Sequence, residues 1–550
     1  MKEKIIGIFV CMLLLTTVFP VATSVNESQI PIFVTKNNHQ SSTQINWTET
    51  QKLLPSDGAE EDFFGQSVSF DGDTALIGAY YDDNGKGSAY VFTRSGDTWT
   101  QQAKLLASDG ATWDWFGYSV CLDGDTALIG AYQDDDTAEH CGSAYVFVRS
   151  GITWTQQAKL LAADGAYLDA FGAAVSLSGD TALIGTPGDD DKGPESGSAY
   201  VFTRSGTTWT QQAKLLASDG AADDNFGWSV TLDGNTALIG AGTDDDTGAD
   251  SGSTYVFTRT GTVWTQQQKL VASDGAAGDY FGTSLSLDGD TALIGATGDD
   301  DSGNWSGSAY VFLRAGTTWT QQQKLIPSDC SEGDNFGIAV SLDGDTALIG
   351  AYNDDYKGSA YVFTYAGSIW TQQAKLLASD GTMGDWFGYS VALDEDTALI
   401  GAPSTDDNGW DSGSAYLFEK TTQNQPPNPP TITGPVNVKA GTAYPYSFVS
   451  IDPDGDEVSY YIEWGDGTTT PWTAFHPSGS QGYSESHAWS KQGTYNIRAK
   501  AKDINGNEGN WSTLKITVPL MYEPPHLRFI AWLFERFPDA FPILRHLMGY

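Results

Sequence analysis

Runs of two or three aspartates recur at regular intervals along the chain, and each run follows an apolar segment such as "TALIGA". Carboxylate oxygens at this density are preferred ligands of hard divalent cations, and a bound cation would relieve the repulsion between them. The triplets predict candidate Ca²⁺ ligands at Asp134, Asp135, Asp136, Asp189, Asp190, Asp191, Asp244, Asp245, Asp246, Asp299, Asp300 and Asp301. Two other interpretations stay open: the aspartates cap turns and keep the loops soluble, or they contact a partner directly.

The elements that must position these aspartates come from a sequence repeat. Its most regular feature is a Phe-Gly pair, which begins at Phe64, Phe116, Phe171, Phe226, Phe281, Phe336 and Phe387. Apolar residues alternate in runs such as "SVSF" and "GSAYVF", and Asp-Gly pairs such as Asp71-Gly72 are a strong hairpin signal. A repeat of about 50 residues that contains four short strands predicts a propeller blade or an array unit.

The two ends of the repeat array predict how it closes. The first copy of the fourth-strand pattern begins at Trp47, before the first Phe-Gly pair, and the last repeat stops after its third strand near Lys420. Pairing of these incomplete ends removes two exposed strand edges and closes a ring. The sequence therefore predicts an all-β fold with a seven-bladed β-propeller. A linear β-solenoid is the alternative, and it leaves the split repeat unexplained.

The order of the strands also predicts where the aspartates lie. Because successive strands run in opposite directions, the loops between the second and third strands share one face with the loops that join the blades. The aspartates of these loops make up nearly half of the 70 acidic residues. We therefore expect one strongly acidic face. The net charge of −42 makes nucleic acid and anionic lipid unfavourable partners.

The Phe-Gly repeat resembles the FG-GAP repeat of the integrin α-chain propeller, and it is most similar to the compact form in microbial secreted proteins. The resemblance covers residues 47–420. It implies a binding or adhesion function for the acidic face, which is the partner-binding face of integrin-like propellers. Integrin-type repeats carry a calcium loop, D-x-D-x-D-G, between the first two strands, but here that segment is shortened to "DGDT", as at residues 71–74. A site of that type needs six to eight oxygen ligands, so the shortening argues against the family's calcium sites.

A second domain follows a proline-rich linker, "QNQPPNPP". The segments "WGDG" at residues 464–467 and "GTYNI" at 493–497 resemble a PKD domain, which implies an immunoglobulin-like β-sandwich. Asp452, Asp454 and Asp456 alternate in "DPDGDE" as they would in a cation-binding loop, and they are further candidate Ca²⁺ ligands. A plain turn explains the same residues.

Residues near both ends of the sequence predict targeting and attachment. Lys2 and Lys4 precede an apolar run and the small residues of "VATS", a pattern typical of a secretory signal peptide. The C-terminal segment is similar to short tails of archaeal secreted proteins, and its charges and prolines favour an amphipathic anchor or sorting segment over a membrane span. Docking of this segment onto the protein itself is the alternative. The predicted organisation is a signal peptide (1–24), a leader (25–46), the propeller (47–420), a linker (421–430), the sandwich (431–519) and an amphipathic tail (520–550). Sequons predict glycosylation at Asn46, Asn304 and Asn510.

The sequence offers no catalytic constellation. Of the six histidines only His140 lies within the repeats, and a near-symmetric acidic face provides no unique carboxylate pair of the kind that glycosidases use. We therefore expect a monomeric, non-enzymatic protein, secreted or attached to the cell surface, that binds a surface protein or a glycan with Ca²⁺ as the expected cation. The alternatives are a passive component of the cell envelope and a glycan-active enzyme, which a deep pocket that breaks the sevenfold symmetry would favour.

Overall fold

The computed structural model describes residues 45–422, 424–479, 482–519 and 525–537. The predicted signal peptide, nearly all of the predicted leader and most of the predicted tail lie outside the described residues. The described part contains seven four-stranded sheets, followed by a domain of two further sheets. The predicted fold class, a seven-bladed β-propeller followed by an immunoglobulin-like β-sandwich, is confirmed.

Each blade is an antiparallel sheet whose first strand faces the axis of the ring. The chain enters through β1 (Ile45–Leu53). Blades 1 and 2 contain β2 (Ser67–Asp71), β3 (Thr74–Ala79), β4 (Ser88–Ser95), β5 (Thr98–Leu105), β6 (Ser119–Asp123), β7 (Thr126–Ala131), β8 (Ser143–Ser150) and β9 (Thr153–Leu160). Blades 3 and 4 contain β10 (Ala174–Ser178), β11 (Thr181–Thr186), β12 (Ser198–Ser205), β13 (Thr208–Leu215), β14 (Ser229–Asp233), β15 (Thr236–Ala241), β16 (Ser253–Thr260) and β17 (Val263–Leu270).

The remaining three blades repeat the pattern. Blades 5 and 6 contain β18 (Phe281–Asp288), β19 (Thr291–Ala296), β20 (Ser308–Ala315), β21 (Thr318–Leu325), β22 (Phe336–Asp343), β23 (Thr346–Ala351), β24 (Ser359–Ala366) and β25 (Ile369–Leu376). Blade 7 contains β26 (Ser390–Asp394), β27 (Thr397–Ala402) and β28 (Ser414–Thr422). The segments Asp82–Gly85 and Asp354–Tyr356, between the second and third strands of blades 1 and 6, form tight turns in which Asp83, Asn84 and Asp355 have a positive φ.

The ring is closed by β1, which supplies the fourth strand of blade 7. β1 pairs antiparallel with β28, so that Trp47 lies opposite Lys420 and Leu53 opposite Ala415. The first strands of adjacent blades contact one another all round the axis, and β2 of blade 1 contacts β26 of blade 7. The pairing of the two chain ends that the sequence predicted is confirmed.

The Phe-Gly pairs join each blade to the next. Phe116 is fully buried in a core layer that contains Leu76 of blade 1 and Leu122 of blade 2. Gly117, which follows it, has a φ of +93°, and a Cβ there would lie 2.2 Å from the carbonyl oxygen of Ser88. No residue with a side chain fits that position, which explains why glycine follows phenylalanine in every repeat.

The short turns between the first and second strands link adjacent blades on the face opposite to the aspartate runs. The Asp71 carboxylate accepts a hydrogen bond from the backbone N–H of Gly124 in the next blade. The same contact crosses the closure point, where Gly72 of blade 1 donates to Asp394 of blade 7. These aspartates therefore act as connectors between blades.

The second domain is a sandwich whose core is rich in aromatic residues. Its strands are β29 (Thr431–Thr433), β30 (Tyr444–Val449), β31 (Val458–Glu463), β32 (Thr469–Thr470), β33 (Tyr483–His487), β34 (Gly493–Asp503) and β35 (Ser512–Val518). The first, second and fifth of these form one sheet and the other four form the second. Tyr446, Phe448, Trp464 and Trp489 are buried between them. Helix α1 (Pro525–Arg536) follows, and no helix in the described ranges is long and apolar enough to cross a membrane.

Candidate functional site

A lysine ammonium group lies among the loop aspartates of each blade. In blade 3, Lys214 on β13 contacts Asp164 of the preceding inter-blade loop at 2.9 Å. The same Nζ lies 2.6 Å from Asp189 and 2.7 Å from Asp191, which belong to the loop between the second and third strands. We call this arrangement, one outer-strand lysine with the aspartates that surround its Nζ, a lysine clamp.

The clamp recurs in all seven blades of the described ring. Three clamps besides that of blade 3 hold three carboxylates, and three hold two. The members are Lys104 with Asp57 and Asp82; Lys159 with Asp109, Asp134 and Asp136; Lys269 with Asp219, Asp244 and Asp246; Lys324 with Asp274, Asp299 and Asp301; Lys375 with Asp329 and Asp354; and Lys52 with Asp380 and Asp407. In blade 7 the lysine comes from β1, so this clamp also joins the two ends of the ring.

In a typical clamp, the first aspartate of the loop between the second and third strands is buried and accepts several hydrogen bonds. Asp189 accepts hydrogen bonds from the hydroxyls of Ser198 and Tyr200, both at 3.1 Å, in addition to its contact with Lys214. Burial opposes the charge of Lys214, but its hydrogen bonds to Asp189 and Asp191 outweigh burial and raise the pKa of the ammonium group. The ammonium group of Lys214 therefore stays charged at neutral pH.

The middle aspartates of the triplets have a different role. Asp190 accepts a hydrogen bond from the backbone N–H of Glu195 at 2.8 Å, and Asp245 accepts the equivalent bond from Asp250 at 2.8 Å. Asp135 does the same for His140 at 2.7 Å. These exposed carboxylates cap the ends of their own loops, as one of the sequence interpretations anticipated.

The clamp geometry bears directly on the calcium prediction. Ligand oxygens of Asp274, Asp299 and Asp301 lie within 4.8 Å of one another, a spacing that would suit a cation. The same three carboxylates bond Lys324 Nζ, at 2.9, 2.6 and 2.6 Å. A metal ion would have to displace this ammonium group, so the intact clamp does not fit Ca²⁺. Calcium at the triplets stays a prediction.

No lysine of the described residues forms an ion pair with the predicted aspartate loop of the second domain. Asp452 is buried, and its Oδ1 accepts backbone N–H bonds from Asp454 and Asp456 at 3.0 and 3.2 Å. Asp452 Oδ2 and Asp454 Oδ1 are also buried, yet they make no hydrogen bond to any described residue. Burial raises the pKa of Asp452 despite these backbone bonds. Buried carboxylate oxygens without partners are costly, and hard oxygen ligands of this kind fit Ca²⁺.

A second set of buried carboxylates lies in the inter-blade loops. Each of them follows the clamp aspartate of the same inter-blade loop by five residues. Asp224 accepts the backbone N–H of Ala221 at 2.7 Å, and burial raises its pKa to about 6. The equivalents Asp62, Asp114 and Asp334 behave in the same way, with pKa values of about 6. None of these four carboxylates forms an ion pair with a described lysine, and burial is the largest cause of the rise in their pKa.

The sequon asparagines are exposed, and the clamp lysines occupy one fixed position in the outer strands. Asn46, Asn304 and Asn510 are all exposed, and their glycosylation stays a prediction. The clamp lysines were missed by the sequence argument. Their signal is the lysine at one fixed position of every outer strand, in "TQKLL" and "QQAKLL", opposite the aspartate runs once the blade is folded.

A closed ring of seven four-stranded blades with acidic loops on one face defines a repeat β-propeller. The FG-GAP repeat profile matches residues 47–92, 99–147, 154–202, 209–257, 264–312, 319–363 and 370–418. These matches cover more than half of the chain, which therefore belongs to the FG-GAP repeat family. The PKD domain profile matches residues 424–518. Both are non-catalytic domain types that are typical of extracellular proteins, and together they indicate an adhesion or surface-binding kind of protein.

Solved structures resemble parts of the chain. A PKD domain of an M14-like peptidase from a Thermoplasmatales archaeon is 52% identical, with 18% of this chain and all of that one covered and a TM-score of 0.17. A putative 6-phosphogluconolactonase from Bacteroides uniformis is 11% identical over 60% of this chain and 89% of that one, with a TM-score of 0.41. The PKD domain of human SorCS2 is 17% identical over 19% and 83%, with a TM-score of 0.14. No curated protein sequence matches the chain.

Proposed function

We propose that the chain is a secreted or cell-surface binding protein that presents one face of its propeller to a glycan or protein partner. This loop face is formed by the loops between the second and third strands together with the loops that join the blades. The observation that carries the proposal is a contrast among seven repeats of one chain. "TALIG" recurs in every repeat, whereas the residue before each Phe-Gly pair is Phe63, Trp115, Ala170, Asn225, Tyr280, Asn335 or Trp386. A constant frame beneath a varied loop face is typical of recognition surfaces.

The lysine clamps support this proposal because they hold the loop face rigid. Each clamp ties the loop between the second and third strands to the preceding inter-blade loop through one ammonium group, as Lys214 ties Asp189 to Asp164. Loops that are ordered before a partner arrives lose less conformational entropy on binding.

Charge reversal on the two faces tests the proposed function. Asp300→Lys with Glu332→Lys changes two exposed loop-face residues, and Asp73→Lys with Asp97→Lys makes the same charge change on the opposite face. We expect the loop-face pair to change the fraction of full-length protein that cosediments with cell envelopes of the source organism, and the opposite pair to leave it unchanged. Equal effects of the two pairs would contradict the proposal, and no cosedimentation of wild-type protein would favour a passive structural role.

The proposed calcium site lies in the second domain. We infer that Ca²⁺, as the predicted cation, acts at Asp452 and Asp454 in preference to the propeller triplets. The support is the pair of buried oxygens without hydrogen bonds in this loop, against carboxylates that already hold an ammonium group in the blades. Differential scanning calorimetry of the intact chain and of Asp452→Asn, in EDTA and in calcium, tests this assignment.

Attachment through the C-terminal segment is the remaining part of the proposal. Phe529 and Trp532 of helix α1 stack at 5.8 Å and are exposed, so they present an apolar ridge. Such a ridge suits insertion at a lipid or envelope surface. Cosedimentation of the intact chain with neutral phospholipid vesicles should fall on the double change Phe529→Ser and Trp532→Ser, and an unchanged bound fraction would argue against this role.

A further inference from the structure

The residues that follow the Phe-Gly pairs surround one cavity on the axis of the ring. They are Gln66, Tyr118, Ala173, Trp228, Thr283, Ile338 and Tyr389, one from each blade. All seven line a cavity of ≈ 440 Å³. Their side chains differ strongly although the flanking strands repeat almost unchanged. The axial cavity therefore breaks the sevenfold symmetry of the frame.

The axial cavity continues outward on one side, across blades 4 and 5. Trp228 and Asn225 also line a neighbouring cavity of ≈ 380 Å³, together with Tyr280 and Trp305. The rings of Tyr280 and Trp305 stack at 5.3 Å with an interplanar angle of 27°. Trp228 is 51% exposed and Trp305 is 41% exposed, so both rings are accessible to solvent. We call the two adjoining cavities the axial groove.

The opposite wall of the axial groove provides hydroxyl groups. Tyr118 and Tyr132 pack edge to face at 4.5 Å, and Tyr389 accepts a weak hydrogen bond from Gln66 Nε2 at 3.4 Å. The Tyr118 hydroxyl makes no hydrogen bond to any described residue. Burial raises the pKa of Tyr118 and of Tyr132, so both hydroxyls stay protonated and can donate.

The charge of the axial groove contrasts with that of the surrounding face. Among the residues that line it, only Glu195 is ionisable apart from the tyrosines. The nearest aspartate runs are held in the lysine clamps of blades 3 to 5. A groove with little charge favours a neutral ligand. A single carboxylate also cannot supply the two that glycoside hydrolysis requires, which argues for binding without cleavage.

We propose that the axial groove binds a neutral oligosaccharide, with a sugar ring against Trp228 and sugar hydroxyls hydrogen-bonded to Tyr118 and Asn225. A pyranose has an apolar C–H face that packs on an indole and hydroxyls that satisfy the polar groups beside it. An apolar peptide side chain in the same place would leave the Tyr118 hydroxyl without a partner, which costs free energy. This inference rests on the proposed function and names the ligand class of the same face.

Calorimetric titration tests the inference with the intact chain and neutral tetrasaccharides of glucose, mannose and N-acetylglucosamine. We expect at least one of them to bind, and Trp228→Ala to weaken that binding about tenfold or more, as truncation of a central aromatic anchor does. Tyr118→Phe keeps the ring and removes one hydroxyl, so it should weaken binding by a smaller factor. Trp410→Ala is the matched control, because Trp410 is 59% exposed in a loop of blade 7 and does not line the groove.

Three results would overturn the inference: no tetrasaccharide binds at millimolar concentration, binding survives Trp228→Ala, or Trp410→Ala weakens it equally. Binding of a neutral apolar hexapeptide that depends on Trp228, without saccharide binding, would also overturn it and identify a peptide groove. Failure of the inference is distinguishable from failure of the proposed function. If wild-type protein still binds cell envelopes through the loop face, only the ligand assignment is wrong.

Discussion

The propeller and the second domain both carry dense aspartate loops, but only the propeller supplies its own cation. In blade 3, Lys214 Nζ lies within 2.9 Å of three carboxylates. In the second domain, Asp452 accepts only hydrogen bonds from backbone N–H groups, and one of its oxygens has no partner among the described residues. A run of aspartates therefore does not by itself predict a metal site. The deciding question is whether another part of the chain delivers a positive charge to it.

The chemistry of lysine explains why one residue can replace an ion in the blades. An ammonium group has three N–H donors on a flexible stem, and three carboxylates meet it in four of the seven clamps of the described ring. The charge is covalently attached, so its presence does not depend on the concentration of a free cation. The propeller is thereby expected to fold equally well with and without calcium.

Removal of a clamp lysine should give the largest effect. Lys214→Met leaves three carboxylates facing one another, and we expect the free energy of unfolding of the propeller to fall by about 3 kcal/mol, as for one partner lost from a buried ion pair. Urea titration followed by tryptophan fluorescence measures this change. The matched control is Lys192→Met, which removes the same charge from an exposed lysine of the same blade that forms no ion pair with a described residue.

Calcium sharpens this test, because the vacated clamp should become a cation site. We expect millimolar CaCl₂ to recover part of the stability lost in Lys214→Met and to leave the wild-type propeller transition unchanged at constant ionic strength. A calcium-dependent rise of the wild-type propeller transition would show that the ion competes with the lysines. That result would support the sequence prediction for the triplets against our assignment.

The second domain should show the opposite calcium response, with an intermediate effect. If Ca²⁺ binds at Asp452 and Asp454, an ion at 100 times its Kd stabilises the domain by about 2.7 kcal/mol. Differential scanning calorimetry of the intact chain should show a rise in the transition of the second domain that Asp452→Asn abolishes. The control is Asp466→Asn, because Asp466 bonds Thr468 and His487 elsewhere in the same domain. If no transition shifts between EDTA and calcium, the assignment of Ca²⁺ to this loop is wrong.

The frame of the molecule was predictable from sequence because it depends on local and repeated signals. Phe-Gly pairs and alternating apolar residues recur in every repeat and Asp-Gly turns in five of the seven, so a chance match at one position has little weight. The split blade followed from counting strands at the two ends, and the pairing of Trp47 with Lys420 confirms it. Even the acidic face followed from the alternation of strand directions.

The clamps were not predictable in the same way because they join residues that are far apart in sequence. Lys214 lies 50 residues from Asp164 and 25 from Asp189, and the three meet only when the outer strand and two loops of one blade are in place. A count of charges along the sequence treats each lysine and aspartate as exposed, so it does not predict contacts between them. The axial groove escaped prediction for a related reason, since seven single residues form it only after the ring closes.

The smallest predicted effect concerns two aspartates of one inter-blade loop. Their contributions to the stability of the propeller should depend on pH with opposite signs. Burial raises the pKa of Asp224 from 3.8 to about 6, whereas the hydrogen bond from Lys269 outweighs burial and lowers the pKa of Asp219. An acid with a raised pKa costs stability once it ionises, so the cost of Asp224 grows as pH rises from 3.8 to about 6.

Asp224→Asn keeps an acceptor for the Ala221 N–H and removes that cost. We expect it to stabilise the propeller by about 1 kcal/mol above pH 6, and the gain to disappear as pH falls toward 3.8. Asp219→Asn should instead destabilise the propeller at neutral pH, because it removes a carboxylate from a clamp, and its effect should shrink only below pH 3.8. Melting temperatures of both variants across this pH range decide the matter. Parallel pH profiles for the two variants would mean that the clamp lysine does not distinguish these carboxylates, and the contrast between clamped and unclamped aspartates would then fail within a single loop.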